Sequence, residues 1–254
     1  MSRLVNANEF EAMRKAGLLV ALAHEAVAEA VKPGVSSKDL DAIAERVILQ
    51  GGGRPAFKGY GGFPATICAS YNEEVVHGIP SRRRLEEGDI IAVDIGAIVD
   101  GYYGDSAWTY GVGRLEPRVQ SLLEVTEQSL YAGLSQARAG KNLGAVGAAV
   151  QQVVEGAGFA VVRDFVGHGI GQNLHEPPQI PNYKTEDPGP LLQRGDALAI
   201  EPMVNIGGHE VRVKKNGWTV VTKDGSWSAH FEHTVIVQDG EPEITTKRSG
   251  VLAL

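Results

Sequence analysis

Apolar residues recur at helical spacing near the start of the chain and again near its middle, and apolar runs typical of strands follow each time. Asn8 and Glu11 have the spacing of a capping box at the first helix. The glycines at 51–53 end the second helix. The predicted elements of this half are helices at residues 8–31 and 36–50 and strands at residues 65–69 and 89–99.

The second half of the chain repeats this order. Pro117 suits the first turn of a helix, and Asn142 is in the right place to cap the helix that follows. The predicted elements are helices at residues 117–139 and 142–156 and strands between residues 210 and 237, with a turn at 223–225. Helices that cover one face of antiparallel sheets indicate an α+β fold.

A short segment occurs twice and relates the two halves. Residues 88–94 read Gly-Asp, four apolar residues and then Asp94, and residues 195–201 repeat this pattern and end in Glu201, 107 positions later. Leu40 and Val146, on the apolar faces of the two second helices, lie 106 positions apart. Two elements with nearly the same offset favour an internal duplication. We expect one catalytic domain over residues 1–254, with pseudo-symmetric halves of about 1–110 and 111–254.

The acid that ends the first copy gains a neighbour if the next residues form a hairpin. Asp100-Gly101 is a strong signal for a two-residue turn, which pairs Gly96 with Asp105 and puts Asp94 on the same face as Asp105. The two acids are then diagonal neighbours about 7–8 Å apart at the backbone. Both can reach a pair of cations about 3.5–4 Å apart. A solvated acidic hairpin is the alternative, which the apolar stretch before Asp94 disfavours.

Further candidate ligands occur later in the chain. His168 lies among glycines, Glu201 ends the second copy, and Glu232 begins an apolar run. Together with Asp94 and Asp105 they give four carboxylates and one imidazole, a donor set that suits two divalent ions such as Mn, Fe(II), Co or Zn. The set lacks the thiolates of a structural zinc site.

Four other histidines need separate consideration. His77 and His175 are each as compatible with a packed, hydrogen-bonded role as with catalysis. His24 lies in the middle of a predicted helix and His209 in a glycine-rich turn. We expect these last two to be structural or exposed to solvent.

The composition excludes several classes of protein. The net charge of −7 argues against nucleic acid as the main partner. The single cysteine, Cys68, precludes an intramolecular disulfide and suits a reducing compartment. The sequence contains no apolar run of membrane-spanning length and no secretory signal. We therefore expect a cytoplasmic protein without membrane contact.

Taken in order, these motifs resemble those of one family over essentially the whole chain. The matching segments are Val76-His77-Gly78-Ile79-Pro80, Val93-Asp94-Ile95-Gly96, Gly104-Asp105, Gly167-His168-Gly169-Ile170-Gly171, His175-Glu176, Ala199-Ile200-Glu201-Pro202-Met203 and Phe231-Glu232-His233-Thr234. In this order they resemble the type I methionine aminopeptidases, which have the pita-bread (creatinase/aminopeptidase) fold.

The resemblance implies that the protein removes the initiator methionine from polypeptides with a small second residue, through a metal-activated bridging hydroxide that attacks the first peptide bond. It implies two metal ions, with Asp105 and Glu232 as bridging ligands. The implied metal ligands are Asp94, Asp105, His168, Glu201 and Glu232. His77 and His175 would serve the substrate amide and the tetrahedral intermediate, and Glu201 is the candidate for proton transfer.

The resemblance also implies a pocket for the methionine side chain. Its lining would be Tyr60, Phe63, Cys68 and Trp218. The chain departs from the family pattern at three nearby positions, because Phe57 stands where a small residue or cysteine is frequent, Gly61 where histidine is, and Leu174 where an aromatic residue or methionine is common. These departures leave the ligand set intact and leave the shape of the pocket open.

Two alternative functions remain. One is a metallopeptidase of the same fold that cleaves X-Pro bonds, although such enzymes usually carry an extra N-terminal domain and only about 60 residues precede the first predicted strands here. The other is a non-catalytic binding protein, although such relatives lose metal ligands and all five are present. The expected partners are the N-termini of nascent polypeptides. We expect a monomer, and the sequence leaves contact with the ribosome and the identity of the metal open.

Overall fold

A computed structural model of the protein describes residues 3–248. Two helices are followed by a group of strands, and this order occurs twice, as the sequence predicts. The α-helices of the described residues are α1 (Ala7–Ala30), α2 (Ser37–Gln50), α3 (Pro117–Leu134) and α4 (Gly144–Gly156). None of these helices is long and apolar enough to cross a membrane.

The strands of the described residues form antiparallel sheets. They are β1 (Arg54–Pro55), β2 (Ile67–Tyr71), β3 (Glu74–Val76), β4 (Ile90–Val99), β5 (Tyr102–Gly111), β6 (Ala160–Val161), β7 (Gly167–Gly169), β8 (Glu176–Ile180), β9 (Ala197–Ile200), β10 (Met203–Asn205), β11 (Val211–Val213), β12 (Val220–Thr222), β13 (Ser228–His230), β14 (His233–Ile236) and β15 (Glu243–Ile244). The α+β class is confirmed. Residues 1, 2 and 249–254 of the predicted domain lie outside the described residues, and its division into two related halves stays a prediction.

The N-terminal caps of the first two helices differ in how well the sequence predicts them. The predicted cap Asn8 is wrong by two residues, because the side chain of Asn6 accepts hydrogen bonds from the backbone N–H groups of Asn8 and Glu9 at 3.1 Å each. The capping box at α2 consists of Ser36 and Asp39, whose side chains each bond the other's backbone N–H. The start of the second predicted helix is thus confirmed.

The helices of the second half are shorter than predicted. The helix α3 ends at Leu134, and the N–H of Ala139 bonds Gln238 in another part of the chain at 3.0 Å. The predicted cap at Asn142 is wrong, because its side-chain amide donates to the carbonyl of Gly189 at 3.0 Å instead. No side chain caps α4.

The strand β4 is the centre of the first sheet. It pairs with β5 along its length on one edge, and with β1 and β2 on the other. Gly96 lies opposite Asp105, so the predicted hairpin register is confirmed. Asp100 and Gly101 both have positive φ, at 50° and 82°, as a type I′ turn requires.

The five-stranded sheet of the second half has the order β15-β14-β9-β7-β8. His168 on β7 lies opposite Ala199 on β9, and Glu201 follows the end of β9 directly. A Cβ atom at Gly169 would lie 2.4 Å from the carbonyl oxygen of Pro177, so the backbone beside His168 needs a glycine.

The two sheets meet where β5 lies against β14 and the residues just before it. The hydroxyl of Thr234 accepts from the N–H of Asp105 at 3.0 Å and donates to its carbonyl at 2.7 Å. The N–H of Glu232 donates to the carbonyl of Ala107 at 2.8 Å. Hydrogen bonds to the main chain of Asp105 and from the main chain of Glu232 therefore fix one acid from each half at the same seam.

We expect Gly104→Ala to destabilise the protein by about 1–3 kcal/mol, as overpacking of a buried contact does. A Cβ atom there would lie 2.7 Å from backbone atoms of Ala16 and Gly17, so α1 would have to move away from β5. Urea unfolding of the purified variant measures the change. Gly156→Ala in α4 is the control, because nothing lies within 4 Å of that Cβ position. Equal unfolding midpoints for the two variants would contradict the prediction.

Candidate metal centre

A cavity of about 260 Å³ lies at the seam between the two halves. All residues that the sequence analysis assigned to metal binding, catalysis or the side-chain pocket line it. They are Tyr60, Phe63, Cys68, His77, Asp94, Asp105, His168, His175, Glu201, Trp218 and Glu232. The structure thus brings the predicted set together, whereas the role of each residue stays a proposal.

Asp94 and Asp105 are diagonal neighbours across the β4–β5 hairpin, because Asp94 lies opposite Ala107 and Asp105 lies opposite Gly96. Burial raises the pKa of Asp94 from 3.8 to about 7. Burial raises the pKa of Asp105 well above its usual range, and the negative charges of Asp94 and Glu201 add to this rise. One buried oxygen of each carboxyl group, Oδ1, has no hydrogen-bond partner.

The two glutamates add further negative charge from the second half. Burial raises the pKa of both Glu201 and Glu232, and the pKa of Glu232 rises further because Asp105 is close. Oε1 of Glu232 is also buried without a partner. Four acids that all resist ionisation line one cavity, and three of them have an unpaired oxygen, an arrangement that a bound cation would relieve.

His168 presents one nitrogen to these acids. Its Nδ1 lies 3.0 Å from the carbonyl oxygen of Gly169, which can only accept, so the ring proton is on Nδ1. The free lone pair of Nε2 lies 3.5 Å from Oε1 of Glu201 and 3.8 Å from Oδ2 of Asp105. Burial lowers the pKa of His168 to about 4, so the ring is neutral near pH 7, as a metal ligand must be.

The donor atoms fit a metal ion. Asp105, His168 and Glu232 each offer one ligand atom, and these atoms lie within 4.8 Å of one another. Glu201 and Glu232 form a second such group with His230.

His230 is a residue that the sequence analysis missed. It is buried, and burial lowers its pKa to about 4. Its Nε2 has no hydrogen-bond partner and lies 3.6 Å from Oε2 of Glu201 and 4.0 Å from Oε2 of Glu232. The spacing of His230 and Glu232 was the available signal, since residues two apart in extended chain share a face.

His77 and His175 lie on the cavity wall. His77 has a positive φ of 58°, and its ring packs edge-on against Phe165. Burial lowers its pKa to about 4, and the nearby rings of His230 and His175 lower it further. The Nδ1 atom of His175 lies 2.9 Å from the hydroxyl of Tyr60.

His24 and His209 lie outside the cavity lining, as expected. His24 is buried, with Nε2 2.8 Å from the carbonyl of Ser106 and Nδ1 2.9 Å from the hydroxyl of Tyr110. His209 is exposed. The expectation of a structural and a solvent-facing histidine is confirmed.

The apolar side of the cavity is built from aromatic rings. Phe63 and Trp218 pack edge to face with ring centres 5.2 Å apart. Phe57 and Leu174, two of the positions that depart from the family pattern, are buried and line the cavity. Burial and the neighbouring acids raise the pKa of the Cys68 thiol well above its usual range, so this side chain is an uncharged part of the wall.

Comparison with known proteins places this chain in a family. Metallopeptidase family M24 matches residues 11–239. Methionine aminopeptidase 1 of Bacillus subtilis is 53% identical over 239 residues, which cover 94% of this chain and 96% of that protein. The crystal structure of methionine aminopeptidase from Thermotoga maritima superposes with a TM-score of 0.95 at 46% identity, over 98% of this chain and all of that one.

A more distant match shows the same fold in a longer protein. Prolidase from Pyrococcus furiosus superposes with a TM-score of 0.77 at 20% identity, over 96% of this chain but only 65% of the prolidase chain. These relatives have the pita-bread fold, which confirms the fold that the motifs imply.

We expect metal binding to strengthen as the pH rises towards about 7. The pKa of Asp94 is higher in the folded protein, at about 7, than its ordinary value of 3.8. The metal-free folded protein therefore holds a proton there that the unfolded chain loses, and its stability falls as the pH rises through this window. A metal ion must displace that proton. Thermal unfolding with and without Mn²⁺, from about pH 5.5 to about pH 8, should show a growing increase in Tm.

Asp94→Asn removes this ionisable group, which is also a proposed ligand, so the increase in Tm should become smaller and should depend less on pH. An increase in Tm that is the same at every pH in the wild-type protein would contradict the prediction.

Proposed function

The chain belongs to metallopeptidase family M24, within its methionine aminopeptidases, and we propose that it removes the initiator methionine from polypeptides whose second residue is small. The observation that carries the proposal is a group of four acids, three of them with a buried oxygen that has no partner, beside an apolar pocket. Those acids suit cations, and the pocket suits an unbranched apolar side chain.

We assign two divalent ions to the acids and His168. Two dications would balance four carboxylates, and the unpaired oxygens of Asp94, Asp105 and Glu232 would become ligands. The proposed ligands are Asp94, Asp105, His168, Glu201 and Glu232, and the donor types suit Mn, Fe(II), Co or Zn. When bound, such ions lower the pKa of a water that they share and polarise the substrate carbonyl.

His175 is the proposed donor to the substrate carbonyl oxygen. With the hydroxyl of Tyr60 donating to Nδ1 over 2.9 Å, the ring proton is held on Nε2. A neutral N–H directed at the carbonyl stabilises negative charge as it develops on oxygen. His77, whose ring is fixed by Phe165, is proposed to bind the substrate amide.

Glu201 is the proposed group for proton transfer between the attacking water and the leaving nitrogen. The raised pKa that burial gives this carboxyl suits it to take up a proton during the reaction. The acidic cavity would also attract the free α-amine of a substrate, with Asp94 nearest to it, so only the first residue of a chain would bind.

The methionine side chain is proposed to occupy the aromatic part of the cavity. Trp218 and Phe63 offer ring edges and faces for contact with a thioether sulfur. The ring of Phe57 and the side chain of Leu174 are both buried, and they narrow this end of the cavity. A solvent-open groove lined by Gln172 and Asn173 adjoins His175 and would take the rest of the peptide. The expected monomeric state, cytoplasmic location and ribosome contact stay predictions.

We expect hydrolysis of Met-Ala-Ser and no hydrolysis of Ala-Pro peptides. Within a series Met-X-Ser, the rate should fall as X grows from Gly or Ala to Leu, because the residue after the scissile bond lies against the crowded metal centre. Release of free methionine, measured by chromatography, gives kcat/KM for each peptide. Preferential cleavage of Ala-Pro would favour the X-Pro alternative, and inactivity on all peptides with metal bound would favour the non-catalytic one.

We expect chelation to abolish turnover and re-addition of a divalent metal to restore it. His168→Ala should lower kcat/KM by more than the roughly 10–100-fold typical of changes outside the ligand set, because it removes the one proposed nitrogen ligand. His209→Ala is the matched control, since that ring is exposed and far from the cavity lining. Full activity of the His168→Ala protein after metal removal would contradict the assignment.

A further inference from the structure

His230 is the one histidine at the metal centre that the proposed mechanism does not use. Its side chain is buried, and its Nε2 has no hydrogen-bond partner, which is costly in a folded protein. It does not line the cavity itself but lies behind Glu201 and Glu232. A buried polar atom without a hydrogen-bond partner requires an explanation.

The backbone of His230 is held independently of its ring. The hydroxyl of Thr109 accepts from the N–H of His230 and donates to its carbonyl, each over 2.9 Å. His230 also pairs with Met203 across the β10–β13 ladder. The backbone that carries the imidazole is therefore fixed at the seam between the two halves.

Glu201 lies between two imidazoles and turns one oxygen to each. Its Oε1 is 3.5 Å from Nε2 of His168, and its Oε2 is 3.6 Å from Nε2 of His230. If Oε1 shares a metal ion with His168, Oε2 is left facing His230. Carboxylates that bind metals are normally oriented by a hydrogen bond to the oxygen that the metal leaves free.

Charge distinguishes this role from direct ligation by His230. Asp94 and Asp105 each keep a buried oxygen without a partner, so a cation is needed beside them. Two dications already balance the four acids, so a third dication at His230 would exceed their charge. A neutral imidazole that donates a proton adds no charge.

We propose that His230 is a positioning residue that donates from Nε2 to Oε2 of Glu201 and thereby fixes which oxygen Glu201 turns to the metal. The inference rests on the proposed function, because it assumes that Glu201 binds a metal. Without this bond, Glu201 is free to rotate, so both metal affinity and proton transfer suffer.

The test compares His230→Leu and His230→Gln with the wild-type protein, using Co²⁺ as the probe. Isothermal titration should show that His230→Leu weakens the tighter Co²⁺ site by about 10–100-fold. On Met-Ala-Ser it should lower kcat more than it raises KM. His230→Gln keeps an N–H donor at similar reach, and it should restore the affinity and the visible absorption spectrum of the Co²⁺ protein.

Two further variants control for folding. His233→Gln changes another buried histidine of the same segment, one that bonds Thr246 over 2.8 Å, and it should leave Co²⁺ affinity unchanged. If His230→Leu does not fold, as judged by circular dichroism, His230→Asn replaces it, because its shorter amide mimics Nδ1 and does not reach Glu201.

Two results would overturn the inference while leaving the proposed function intact. One is wild-type Co²⁺ affinity and kcat in His230→Leu. The other is a Co²⁺ spectrum in His230→Gln that changes as much as in His230→Leu, because that would make His230 a direct ligand. A wild-type protein that binds no Co²⁺ and does not cleave Met-Ala-Ser would instead overturn the proposed function, and with it the inference.

Discussion

The structure depends most on the burial of four carboxyl groups in one cavity. Burial disfavours the ionised form of each acid, and the negative charges of neighbouring acids raise the pKa of Asp94, Asp105 and Glu232 further. Such a cluster costs folding free energy unless cations enter. The surrounding fold therefore has to hold the acids against their mutual repulsion, and the bonds of the Thr234 hydroxyl and of the Glu232 N–H to the main chain of β5 do this at the seam.

The same cavity requires its histidines to be uncharged or well paired. His168 achieves this by donating Nδ1–H to a backbone carbonyl, which leaves its other nitrogen free for a metal. His77 sits in a left-handed conformation at φ 58°, which is uncommon for a residue with a side chain and costs about 1–3 kcal/mol. Strain of this kind persists where the surroundings fix the backbone. The next residue, Gly78, packs so closely that a Cβ atom would lie 2.1 Å from the carbonyl of Ala69.

Local sequence signals predicted the parts of the site that lie on one hairpin, and they were less informative across the seam. The Asp100-Gly101 turn fixes a register, and that register alone brings Asp105 to Asp94. Helix caps were harder to place, because Asn6 and Asn8 are equally good acceptors by residue type and only the path of the chain selects Asn6. Asn142 bonds Gly189, 47 residues away in sequence, which no local pattern reveals. His230 was missed because Glu201, the nearest acid to its ring, comes from the end of another strand.

The two halves have similar element orders but unequal chemistry, and the strand next to each acid explains the difference. In the first half, Cys68 lies directly opposite Asp94 in the β2–β4 ladder. The acids raise the pKa of that thiol well above its usual range, so it stays protonated and offers no charge to a metal. In the second half, the corresponding neighbouring strand β7 carries His168, whose neutral ring keeps a free lone pair.

The nitrogen ligand therefore falls on the side of Glu201. The ion there would have a mixed nitrogen and oxygen environment, whereas the ion beside Asp94 would have oxygen ligands from the chain. Because the two positions differ in ligand type, they should differ in affinity, and the position beside Asp94 should be the weaker one.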